Sequence, residues 1–246
     1  MTRSALLPSL AVLALVLAAC DRKPAEAPAP APVPEATATP SDAAIASAGA
    51  AVDAVTDPAP AGQQGGTDQW RKVVNAEDQD RIARLGEAWR LALKQANAEH
   101  GAMVDAQSML LVPRADLAGN LQPGPGTYRC RTIKVGSMDG AGLAYVEYPW
   151  FKCSIELTPG GDLILTKTTG SQRTRGLLYP DAEHPNRLIF VGAQAWGLDE
   201  KGFPSYGQMP ERDQVGVFER IGTGRWRLAI PFPKQESKLD VLELKK

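Results

Sequence analysis

Histidine is scarce: the chain of 246 residues holds two, His100 and His184. Nucleophilic catalysis needs a base beside the nucleophile, and neither histidine sits in such a motif. The same scarcity removes zinc-protease patterns, and a G-x-S-x-G elbow is missing. Gly124-Pro125-Gly126 and Thr169-Gly170-Ser171 lack the spacing and the following helix of a phosphate loop. No catalytic residue, metal or cofactor is therefore expected. A carboxylate pair is recognised by distance rather than by sequence, so an envelope hydrolase of that kind stays open as an alternative.

Surplus charge is lacking too. Residues 68–246 carry 24 Lys plus Arg against 22 Asp plus Glu. Phosphate backbones call for an excess of positive charge, so nucleic acid is not an expected partner. Beyond the N-terminus no apolar run is long enough to span a bilayer as a helix. Between residues 21 and 67 there is no aromatic residue at all, and Ala plus Pro make up about half of the segment. Such a stretch buries too little apolar surface to offset its ordering entropy. It reads as a disordered, semi-rigid spacer with a reach on the order of 40 Å.

At the N-terminus Arg3 precedes an apolar run over residues 10–19, short enough to read as a secretory signal. It ends in Leu17-Ala18-Ala19-Cys20, which resembles the lipobox of bacterial lipoproteins. The resemblance implies a signal peptide over residues 1–19 and a diacylated Cys20 that anchors the mature chain in a membrane. Several acyl chains hold firmly where one is marginal. The expected location is the bacterial cell envelope, facing the periplasm, with inner and outer membrane both open. Residues 20–67 then form anchor and linker, and residues 68–246 a single helix-plus-β domain.

With Cys20 consumed by lipid, Cys130 and Cys153 remain as a pair for a disulfide in an oxidising compartment. Tyr128, Cys130 and Thr132 share one face of a strand, and Phe151, Cys153 and Ile155 share one face of another. A hairpin turning near Gly140 to Gly142 would set the two cysteines opposite each other.

The domain begins with a helix start at Asn75-Ala76-Glu77-Asp78, where Asn75 caps and acids follow. Ile82, Leu85, Trp89, Leu93 and Ala96 recur at helical spacing, which predicts one amphipathic helix over 76–100 stopped at Gly101. From Gly126 the pattern changes to short strands and turns. Strands are expected near 128–135, 148–157, 162–167, 171–178, 187–192, 214–220, 225–230 and 239–244. The expected fold class is mainly β: an antiparallel meander of about eight strands, closed into a barrel or strongly curved, with the helix packed on it.

The runs GTYRCRTIKVG from Gly126, TGSQRTRGLLYPD from Thr169, RDQVGVFERIGTGRWRL from Arg212 and ESKLDVLEL from Glu236 resemble the bacterial domain-of-unknown-function family 4893. That resemblance implies one secreted domain and carries no activity with it.

The densest polar set is Gln172, Arg173, Arg175, Arg212, Asp213, Glu236 and Asp240, with Tyr206 in the long segment 193–213. Long structureless loops are often functional, and arginine forks suit carboxylates. The set marks a candidate surface for a small molecule, glycan or envelope protein. The competing reading is that these arginines pair with acids and clamp strands. The function expected is a lipid-anchored binding module, with the hydrolase, a structural scaffold or an inhibitor lipoprotein as alternatives.

Overall fold

A computed structural model of the chain describes residues 67–114 and 120–246. The expected signal peptide, Cys20 and the expected linker up to residue 66 lie outside the described residues, as does part of the loop before Gly126.

All eight expected strands are present, and a ninth, short one joins them. In order they are β1 (Gly126–Ser137), β2 (Tyr145–Glu147), β3 (Phe151–Leu157), β4 (Leu163–Lys167), β5 (Gln172–Pro180), β6 (Arg187–Trp196), β7 (Asp213–Gly222), β8 (Arg225–Pro231) and β9 (Ser237–Lys245). From β3 to β9 each strand pairs antiparallel with the next, β1 pairs with β3, and β1 also pairs with β9 from Arg129↔Lys245 to Ser137↔Ser237. The last pairing closes an eight-stranded barrel. The strand expected over 148–157 begins later, as β3 at Phe151, and the unexpected β2 precedes it; both lie along the same edge of β1, at Gly126 to Cys130 and at Ile133 to Val135. Pro149, which has no N–H to donate, sits in the gap between them.

Closure sorts the side chains by the period of two. Inward positions at one end are apolar: Cys130, Ile155, Leu165, Phe190, Phe218 and Leu228 are buried together. Tyr128 and Trp226 meet edge to face at 5.9 Å, and the Trp226 indole N–H donates to the Leu121 carbonyl. Cys130 and Cys153 are bonded within this core. Their register is diagonal rather than directly opposite, since Cys130 faces Phe151 and Cys153 faces Tyr128.

The expected helix is two helices, α1 (Ala76–Ala83) and α2 (Leu85–Ala106), broken at Arg84. Asn75 caps α1 by accepting from the Asp78 N–H at 2.8 Å. Both helices lie on the outer wall. Ile82 of α1 packs with Tyr179, Ile189, Val215 and Val217, whereas Trp89 of α2 packs toward Ile133, Val135, Ala229, Leu239 and Val241. Two apolar stripes aimed at different stretches of a curved wall require the change of direction. Gly101 does not stop α2; the chain kinks at His100 (φ −138°) and continues to Ala106. Ala88, Ala92 and Ala96 let α2 approach the barrel closely. A Cβ on Gly136, at φ +68°, would lie 2.8 Å from the Ala92 Cα.

Arg227 fastens the helical layer. On β8 it points outward, yet it is fully buried. Its guanidinium bonds Glu219 at 2.6 Å and donates to the carbonyls of Met109, Leu110, Val112 and Pro113 beyond α2. It also lies 4.9 Å from the Trp89 ring centre.

Two stability predictions follow from these contacts. Replacing both Cys130 and Cys153 by Ala lowers the unfolding free energy by about 3 kcal/mol, read from urea denaturation. Arg227→Ala strands Glu219 and several carbonyls and costs about 3–5 kcal/mol by the same measurement.

Candidate functional site

The inward face changes from apolar to polar toward the other end of the barrel on most of its strands, whereas β3 and β8 keep Phe151 and Ile230 there. On β1 the inward sequence runs Tyr128, Cys130, Thr132, Lys134; on β4 it runs Leu163, Leu165, Lys167; on β9 it runs Leu244, Leu242, Asp240. Thr174 of β5, Gln194 of β6 and Gln214 of β7 complete a polar ring. Phe151, Ile230 and Leu242 supply apolar wall around the same space. The ring encloses a cavity of about 130 Å³ that opens at the barrel mouth.

Several of its polar groups are almost wholly withdrawn from water. Lys134, Lys167 and Asp240 are each 6% exposed, Thr174 5% and Gln214 7%. Burial of that kind is costly without partners, so the partners decide what the site can do. The Lys134 ammonium donates to Glu236 at 2.6 Å and stands 4.0 Å from Asp240. Burial alone would pull it down, but the two carboxylates outweigh that and hold it above the usual lysine value. Asp240 is pushed up by desolvation, against the pull of Lys134 and a hydrogen bond from the Ser237 hydroxyl. Glu236 is drawn down, first by its hydrogen bond from Lys134.

Lys167 is different. Its ammonium donates to the Gln172 carbonyl at 2.7 Å and lies 4.1 Å from the Phe151 ring centre. No described Asp or Glu forms an ion pair with it. Burial first, and then the charge of Lys134, bring it from 10.5 to about 8. The amides nearby are oriented by their neighbours. The Trp196 indole N–H donates to the Gln194 carbonyl oxygen at 2.8 Å, and the Thr174 hydroxyl donates to that of Gln214. These bonds use the carbonyl oxygens and leave the side-chain NH2 groups of the half-buried Gln194 and the buried Gln214 facing the cavity.

The residues singled out from the sequence divide between the mouth and the outer wall. Gln172 lines the mouth and donates to Glu236 at 3.3 Å, so these two are together at the rim, with Asp240 below. Arg173 and Arg175 do share a face, and it is the outer one. Arg173 donates to the carbonyls of Gly197 and Glu200 and stacks near Phe203. Arg175 meets Glu156 at 3.6 Å and the Thr166 hydroxyl. Arg212 pairs with Glu200 and covers Trp196. Tyr206 donates to the buried Asp78 at 2.6 Å and accepts from the Asn75 N–H, tying the loop to α1; burial, with Asp78 beside it, pushes its hydroxyl up. Asp213 accepts from the Gly207 N–H at 2.9 Å, and desolvation pushes its carboxyl up. The long segment begins as strand, since β6 runs to Trp196, and its remainder is stitched down by these contacts.

A wider groove of about 920 Å³ runs outside the barrel between the two helices and the turn before β6. Asp181, Glu183 and His184 cluster near it with ligand atoms within 4.8 Å of one another. Asp181 is already held by Arg187 at 2.6 Å and Glu183 by Arg71 at 2.9 Å. These groups serve the wall, whereas at the mouth Lys167 has a carbonyl and a ring face beside it in place of a carboxylate.

The pH behaviour of Lys167 gives a direct check. Below pH about 8 the amine is charged in folded and unfolded chain alike, and its burial cost is fully present. Between about 8 and 10.5 the unfolded chain binds more protons, so the cost fades and stability rises with pH. Relative to Lys167→Met, the wild-type urea midpoint should therefore climb across that window.

No curated protein and no solved structure matches the chain at a significant level. Over residues 70–244, from the turn before α1 almost to the end of β9, the chain matches the family model described as Domain of unknown function (DUF4893), and it belongs to that family.

Proposed function

We propose that this protein is a lipid-anchored module of the bacterial cell envelope that binds a small molecule in the mouth of its barrel. The anchor is Cys20 behind its lipobox, and the Ala/Pro-rich spacer holds the barrel away from the membrane. One observation carries the binding reading: a barrel with one apolar end turns, at the other, into a ring of buried lysines, amides and hydroxyls around open space. Lys167 is a buried ammonium with only a carbonyl and a ring face beside it, which is costly to the fold and fits a ligand that supplies the counter-charge. The cavity is smaller than the roughly 300 Å³ at which drug-sized pockets begin, which favours a small molecule over a glycan chain or a protein surface.

Gln194→Trp places an indole across the mouth from a half-buried position. Small-molecule extracts of the envelope should raise the melting temperature of the full-length wild type by several degrees and leave this variant unmoved. An equal rise in both would put binding elsewhere and sink the reading.

A further inference from the structure

We infer that the ligand of the barrel mouth is a small organic acid, its carboxylate received by the Lys167 ammonium and the amide nitrogens of Gln194 and Gln214. This inference rests on the mouth being the binding site. Three features of that site point to an anion and not to a neutral or cationic molecule.

The first is the asymmetry between the two lysines. Lys134 has Glu236 and Asp240 for counter-charges, while Lys167 has a carbonyl and a ring face. A buried cation without a carboxylate is costly to the fold, and a ligand carboxylate would complete the pair. The second is the direction of the amides. Trp196 and Thr174 each take one acceptor position on the carbonyl oxygens of Gln194 and Gln214, so these side chains have more N–H than acceptor left to offer. The third is the apolar wall. Phe151, Ile230 and Leu242 border the same cavity, which suits a short hydrocarbon portion behind the charged group. A free inorganic anion would leave that wall unused.

Binding would also be linked to protons. The charged groups around Lys167 are Lys134 of β1, Asp240 of β9, Arg173 of β5 and, at the rim, Glu236. Lys134 and Arg173 lower the Lys167 amine and Asp240 raises it, with burial the largest influence. An acid bound by the charged amine is thus held firmly below pH about 8 and loses about tenfold in affinity per pH unit above it.

The test uses the full-length chain and four probes: hexanoate and benzoate, with hexanamide and benzamide as their neutral counterparts. Calorimetric titration at pH 7 should show each acid binding at least tenfold more tightly than its amide. Lys167→Met should abolish that preference, and Gln214→Leu should reduce it several-fold. Because a buried substitution can disturb folding, the wild type provides a second reading. The NMR titration of the Lys167 Cε should shift to higher pH with hexanoate and stay put with hexanamide. Equal affinity for acid and amide, no binding of either acid, or an unshifted Lys167 titration overturns the assignment. If the Gln194→Trp variant still blocks the response to envelope extracts, only the ligand class has failed. If it does not, the mouth has failed as the binding site.

Discussion

Everything in this domain depends on the pairing of its first strand with its last. β1 and β9 are joined along nearly their whole length, and that seam turns a curved sheet into a closed wall. Closure removes the free edges that an open sheet of this length would expose. It also creates an inside and an outside, and so decides which of the many charged residues are withdrawn from water. Contacts between the two ends of a domain are slow to form, because loop-closure entropy opposes them first. The disulfide between β1 and β3 shortens that search, tying down the strand whose other edge must wait for β9.

The helical layer is a consequence of the closed wall. A barrel small enough to be filled by its own side chains has no use for outward apolar residues unless something covers them. α1 and α2 cover two separate patches, one over β5 to β7 and one over β8, β9 and β1. Because these patches face different directions, a straight helix would leave one of them wet. The break at Arg84 and the kink at His100 are local conformations set by tertiary contacts, with no proline at either place.

This explains what was legible in the sequence. Alternation and turn glycines mark all eight barrel strands, because half-buried strands have to alternate. The short β2 escaped notice because three residues are too few to show alternation, and Pro149 marked the later start of β3 only in principle. The break at Arg84 has no local signature, since helical spacing persists through it. The site was legible only in fragments. Gln172, Glu236 and Asp240 stand out as polar residues in a polar stretch. Lys134 and Lys167 do not, because a lysine at the end of a strand looks solvated until the register shows it turned inward. Arg173 and Arg175 drew notice by their density, and density of charge is a property of outer walls. The switch of inward positions from apolar to polar, repeated on β1, β4 and β9, was the signal to follow, and it needs the inward face to be known first.

The joint made by Arg227 has a bearing on how the sequence can drift. Its guanidinium grips main-chain oxygens from Met109 to Pro113, and those oxygens are the same whatever side chain each residue carries. Substitution within that stretch leaves the grip intact, whereas gaining or losing one residue would move the oxygens out of reach. The segment that docks the helices is thus constrained in length more than in composition.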